Sequence, residues 1–250
     1  MKIFWTLMRR ELAAFFLSIT GYVVIAAVTF LIGSSFVMLI RNLGSNPFSM
    51  PVTELFFNSM LFWVVVILVT PVITMRLFAL EKASGTYETL MTTPVRDLQV
   101  VAAKFTAALI FYMVMWLPTL ACLFIVAHFT NQTNALDAGM VGGMYLGIFL
   151  SGCLFLAIGC FTSSLTRSQV VAAMISLAAG VFLLIVAYLA QVIPATEQWP
   201  AQLLLYFNLF KQMDDFTRGV VDTRTVIFYV SLTLFFLFLT LRVVESRRWK

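Results

Sequence analysis

Residues 170–192 read VVAAMISLAAGVFLLIVAYLAQV, an apolar run without a single Asp, Glu, Lys, Arg or His. A helix rises about 1.5 Å per residue and the hydrocarbon core of a bilayer is about 30 Å thick, so about 20 such residues cross it. In lipid the backbone polar groups of one segment must bond within it, which makes the run a helix.

Working outward, five further runs carry the same signal: Gly21 to Ile40, Leu55 to Met75, Phe105 to Phe129, Gly139 to Phe161 and Val226 to Val243. The expected fold is therefore all-α, a polytopic membrane protein with six transmembrane helices in a single domain over residues 1–250. The composition agrees: 62% of residues are hydrophobic and 11% charged, where a soluble domain carries roughly 25% charged residues. Mean hydropathy is +1.00. No large soluble domain fits beside six spans in 250 residues.

The charged residues report sidedness. Six spans put both termini on one side, and with them Lys2, Arg9, Arg10, Arg76, Lys82, Arg96, Lys104, Arg167, Arg242, Arg247, Arg248 and Lys250. Only Arg41, Lys211, Arg218 and Arg224 of the 16 basic residues fall opposite. The positive-inside rule then makes both termini cytoplasmic. A net charge of +5 needs no nucleic acid to explain it, and none is expected as a partner.

Residues 1–18 alternate Ile3, Phe4, Leu7, Met8, Leu12, Phe15 and Phe16 with Lys2, Arg9, Arg10 and Glu11. That spacing predicts a helix lying in the membrane interface. Arg9, Arg10 and Glu11 interrupt the apolar core that a cleaved signal requires, so the segment is expected to stay attached. Glu11, and Lys104 at the start of the third span, read as interfacial charges that snorkel to headgroups.

Several chemistries lack residues. Cys122, Cys153 and Cys160 lie inside spans and read as small packing residues, neither disulfides nor a metal site. His128 is the only histidine, one ligand where zinc takes three or four. Met113 and Met115 point to different helix faces and do not converge on copper. The second, fourth, fifth and sixth spans are almost free of ionisable groups, which disfavours an ion-coupled carrier. No nucleophile and base pair within a span, so no catalytic residue is assigned. No G-x-x-x-x-G-K-[ST] occurs, so any ATP hydrolysis must come from another chain. No cofactor is expected.

Two segments remain. The fourth span sets Gly139, Gly143, Gly147 and Ser151 four residues apart, a small-residue face for close packing within the bundle or across a dimer, or for a moving seam. The most charged connection, residues 76–97, places Leu77, Leu80, Ser84, Tyr87, Leu90 and Met91 at helical spacing, with Glu81, Lys82 and Glu88 elsewhere on the wheel and Pro94 as terminator. This reads as a short amphipathic cytoplasmic helix with an exposed charged edge, or as a solvated chain reversal. On the opposite side, residues 191–225 form a loop with amphipathic segments.

Phe78, Glu81, Lys82, Gly85, Thr86, Glu88, Leu90, Pro94 and Lys104 resemble the F-x-x-E-K-x-x-G-T-x-E-x-L-x-x-x-P stretch, followed by a basic residue, of type-2 ABC exporter permeases. In that family the stretch holds the coupling helix that docks on a separate ATPase subunit. Arg10-Glu11, Gly21-Tyr22, Phe216 to Val221 and Glu245 to Trp249 are similar to the gliding-motility-associated branch. Ile19-Thr20 stands where that branch has Ser-Pro, and Thr225 where it has an acidic residue. The resemblance implies a permease of the bacterial cytoplasmic (inner) membrane. Its implied partners are two ABC ATPase subunits, a second permease copy or a related permease, a periplasmic or membrane accessory subunit, and membrane lipid. The alternative is an ATPase-driven, non-transporting anchor of an envelope or motility machine.

Overall fold

The structure, a computed structural model, describes residues 2–45, 56–57, 60–86, 96–130, 138–192 and 206–246. Among them there is no strand. Ten helices follow one another: α1 (Lys2–Phe16), α2 (Ile19–Ser45), α3 (Met60–Thr74), α4 (Ala79–Ser84), α5 (Asp97–Trp116), α6 (Pro118–Thr130), α7 (Ala138–Leu165), α8 (Gln169–Val192), α9 (Leu209–Thr217) and α10 (Thr223–Ser246). Six stretches are long and apolar enough to cross a membrane, and the chain is an all-α polytopic membrane protein.

Helix α7 is the axis of the bundle. It packs against α3, α4, α5, α8, α9 and α10, and 78% of its most apolar window is buried, against 17% for α10 and 22% for α8. The outer helices therefore present apolar side chains such as Phe30, Met174, Phe182, Ile227 and Leu234, whose surroundings are the hydrocarbon that a spanning helix requires. Inside, Phe36, Phe56, Phe57 and Phe62 form a run of ring contacts that ends on Trp63 and Trp116.

Several boundaries differ from the sequence expectation. The third span starts at Asp97, eight positions before Phe105, and divides at Leu117, because Pro118 has no N–H to continue the ladder and instead opens α6. The carbonyl of Trp116 left at the break accepts from the hydroxyls of Thr119 and Tyr145 at 2.5 and 2.9 Å. Neighbouring side chains re-satisfy backbone at a proline break, which is what makes it tolerable at membrane depth. The first span runs on to Ser45, beyond Ile40. Pro71 sits inside α3, where Thr70 and Thr74 hydroxyls donate to the carbonyls of Val66 and Thr70.

Helix α1 packs its apolar face on α5, where Met8 with Phe4, Leu7, Leu12 and Phe15 closes over Ala103 and Ala107. In the loop expected over residues 191–225, α9 is amphipathic. Asn208 caps it by accepting from the Lys211 N–H at 3.0 Å, and Leu209, Met213 and Phe216 are buried against the bundle.

Candidate functional site

At the end of the bundle that carries α1, four charged side chains from three helices converge. Arg10 and Glu11 come from α1, Glu81 from α4 and Lys104 from α5. Lys104 Nζ lies 3.0 Å from Glu11 Oε1 and 2.9 Å from Glu81 Oε1, and Arg10 Nη2 lies 2.8 and 2.9 Å from the same two oxygens. Cation and anion alternate, so each carboxylate is bridged by both bases. Only 3% of the Lys104 side chain is exposed, against 53% for Arg10. The Lys104 ammonium also stands 5.6 Å from the Phe78 ring centroid. Burial, the largest single influence on Glu11, disfavours its charged form, yet Lys104 and Arg10 together outweigh it and hold the carboxyl below its usual range.

This corrects two sequence expectations. Lys104 does not snorkel; it is buried at the centre of the cluster, because three helices close around it before its chain can reach the surface. Glu81 and Lys82 do not form an exposed edge on α4. The turn over residues 75–78 resets the helical wheel, so Glu81 faces Lys104, and buried Lys82 donates to the Ser164 carbonyl at the end of α7.

Helix α4 has no cap of its own, since Phe78 supplies no side-chain acceptor. Ser163 of α7 takes that place: the N–H groups of Phe78 and Ala79 each donate to its Oγ at 3.2 Å, and its hydroxyl donates to the Met75 carbonyl at 3.4 Å. Orphan donors of a first turn are thus satisfied in trans. Ser163→Ala leaves two buried N–H groups unpaired and is expected to cost about 1–3 kcal/mol, read as a lower unfolding temperature of the purified protein.

Helix α4 ends at Gly85, whose φ of +74° is the left-handed conformation that a Cβ disfavours. The continuous helix expected through Met91 to Pro94 is therefore interrupted here. Glu88, Leu90 and Pro94 lie outside the described residues. Phe78 is fully buried, whereas Ala83, Ser84, Gly85 and Thr86 are exposed. Ser84 and Thr86 hydroxyls meet at 2.8 Å across the glycine.

The small-residue face of α7 meets α9 and the turn after it. A Cβ on Gly143 would stand 2.4 Å from the Phe216 carbonyl oxygen, one on Gly147 2.8 Å from Met213 Sδ, and one on Gly219 3.4 Å from the backbone of Gly139. Ser151 is fully buried and donates to the Ile148 carbonyl at 3.1 Å. These contacts lie within one chain.

The sequence reading missed Arg10, Ser163 and Ser164 as members of one assembly. Arg10 and Glu81 are 71 positions apart, and Lys104 and Glu11 are 93 apart, so only the folded arrangement pairs them. Among the described residues no group of His, Cys, Asp and Glu could hold a metal ion, and Cys122, Cys153 and Cys160 are free thiols.

A six-span α-helical bundle with a short helix clamped across one end defines an integral, polytopic membrane protein. A family model described as ABC-2 family transporter protein matches residues 34–244, and the chain belongs to that family. A comparison with curated proteins finds no match.

Proposed function

We propose that the chain is the permease subunit of an ATP-binding cassette exporter of the inner membrane, its termini cytoplasmic, driven by a separate ATPase subunit that docks on α4. The observation that carries this reading is the mounting of α4. One side is tied by Ser163 and Ser164 to α7 and by Glu81 to α1 and α5, while the other presents Ala83, Ser84, Gly85 and Thr86. A helix held so firmly on one side transmits a push on its exposed side into the spans rather than absorbing it locally. Membership of the ABC-2 family supports the ATPase as the source of that push.

In this proposal two ATPase subunits serve a pair of permeases, either two copies or this chain with a relative, and an accessory subunit joins at the outer face. ATP binding closes the ATPases, α4 moves with its docking groove, and the clamp carries the displacement to α7, the axis of the bundle. Phe78, Glu81 and Lys82 then act from inside, holding the lever, while Gly85 and Thr86 belong to the docking side. Glu88, Leu90 and Pro94 complete the stretch by resemblance. By sequence pattern the chain resembles the gliding-motility branch of ABC-2 permeases.

The test uses tagged protein expressed with its genomic neighbours and purified in mild detergent. A P-loop ATPase is expected to co-purify, and Ala83→Arg is expected to reduce its recovery at least tenfold. As an exposed substitution it should change stability by no more than about 0.5 kcal/mol. Recovery of the chain without any ATPase, or undiminished recovery with Ala83→Arg, would refute docking at this face.

A further inference from the structure

Beside the charge cluster a cavity of about 880 Å³ opens between α1, α2, α3 and α5. Its two ends differ in chemistry. At the end of the bundle it is lined by Arg10, Arg76, Glu11, Glu81 and Lys104, with Ser18 and Thr20; deeper, along the spans, by Val23, Val24, Val72, Ile73 and Phe111. Polar groups at the interface above an apolar slot within the hydrocarbon depth complement an amphiphile standing in the same orientation as the bilayer.

The charges define its headgroup. Arg10 and Lys104 are matched against Glu11 and Glu81, which leaves the cluster neutral. Arg76 is surplus: its guanidinium donates to Thr20 Oγ1 at 2.6 Å, and among the described residues no carboxylate pairs with it. Thr20 is in turn 2.5 Å from Ser18 Oγ, which accepts from the Gly21 N–H, so the guanidinium is held at the mouth by a hydroxyl chain. One fixed cation beside a balanced cluster calls for one negative charge, and a guanidinium offers paired donors that suit phosphate oxygens. Basic pockets between spanning helices on the cytoplasmic side are a recurrent way of holding lipid headgroups.

We propose that this cavity binds one membrane phospholipid, its phosphodiester on Arg76 and an acyl chain between α2 and α3 against Val23, Val24, Val72 and Ile73. The site lies on the inner leaflet under the topology proposed above, but its recognition chemistry does not depend on ATPase docking. A lipid seated there wedges α1 from α2 directly beside the clamp on α4, so its arrival or departure bears on the element that the ATPase is proposed to move.

The test is displacement of a fluorescent phosphatidylglycerol from the purified protein in a non-ionic maltoside detergent. Unlabelled phosphatidylglycerol is expected to compete at least tenfold better than diacylglycerol, which has the chains without the phosphate. Glycerol 3-phosphate, which has the phosphate without the chains, should not compete in the same range. Arg76→Gln should weaken phosphatidylglycerol at least tenfold and abolish its advantage over diacylglycerol, Arg76→Lys should retain part of it, and Val23→Trp should block binding by filling the slot. Unchanged elution and unfolding temperature identify variants that are folded. Equal competition by diacylglycerol and phosphatidylglycerol, or full binding by Arg76→Gln, would overturn the site as nothing more than ordinary annular lipid. Competition by glycerol 3-phosphate at phosphatidylglycerol's concentrations would overturn it in favour of a soluble phosphate ligand. No ATPase is present in the assay, so a negative result here leaves the permease reading standing, and a failed ATPase co-purification leaves this site standing.

Discussion

Lys104→Met is expected to destabilise the protein by about 3–5 kcal/mol, the magnitude seen when one partner of a buried ion pair is removed and the other is stranded. Lys104 is the buried member that serves both carboxylates, at 3.0 and 2.9 Å, and Arg10, which touches the same two oxygens with half of its side chain facing solvent, offsets only part of its loss. The pH dependence gives a sharper readout than the loss itself. In the wild type the Glu11 pKa is lowered by folding, so its stabilising contribution is present at neutral pH and is lost as pH falls through and below the ordinary carboxylate range. Without Lys104, only Arg10 opposes the burial of Glu11, so its folded pKa moves upward from the wild-type position. The variant should then gain stability relative to wild type as pH falls through that range. Thermal unfolding of the two proteins across pH 7 to about 4 therefore gives a shallower pH dependence for the variant than for the wild type. Adding Glu11→Gln and Glu81→Gln to Lys104→Met removes the stranded charges and should restore most of the loss at neutral pH. Parallel pH slopes, or no restoration by the triple variant, would show that the cluster is not a buried electrostatic clamp.

The second large effect concerns one methyl group. Gly143→Ala places a Cβ 2.4 Å from the Phe216 carbonyl oxygen and 3.1 Å from the Gly219 Cα, both backbone atoms of a helix end that cannot rotate aside. α9 must separate from α7, and the expected cost is about 3 kcal/mol, the upper end for overpacking. Gly147→Ala meets the end of Met213 instead, a flexible side chain that can yield, and should cost about 1 kcal/mol. Gly142→Ala, next in sequence but with nothing within 4 Å of its Cβ, should be neutral or gain up to about 1 kcal/mol from helix propensity. Denaturant or thermal unfolding of the three variants in the same detergent gives the ranking Gly143, Gly147, Gly142. An equal response of all three would mean that α9 does not rest on this face.

Much of the architecture was legible without coordinates, because the cost of exposing backbone polar groups to hydrocarbon leaves a long apolar run only one conformation. Residues 170–192 illustrate this; α8 spans Gln169–Val192, within one residue of the expected start. The amphipathic spacing of Ile3, Phe4, Leu7 and Met8 announced α1 in the same way. Pro118 was visible and its break was not drawn, since whether a proline kinks a span or ends it depends on whether neighbours such as Tyr145 reach the freed carbonyl. The candidate site was legible in part. Residues 76–97 read as a short amphipathic helix or a chain reversal; the structure places a helix over Ala79–Ser84, with Glu81 and Lys82 turned inward rather than outward.

That difference has one physical origin. Local sequence determined the class of the protein, the number of its spans and the small-residue face of α7, because each depends on hydropathy and period within a single segment. Tertiary structure alone decided which charges are buried, what caps α4 and where the cavity opens. Those outcomes depend on side chains far apart in sequence, such as Arg10, Glu81, Lys104 and Ser163, meeting at a few ångströms. A charge in a membrane protein is placed by the partner that offsets its desolvation, and the identity of that partner is written nowhere in the residue's own neighbourhood.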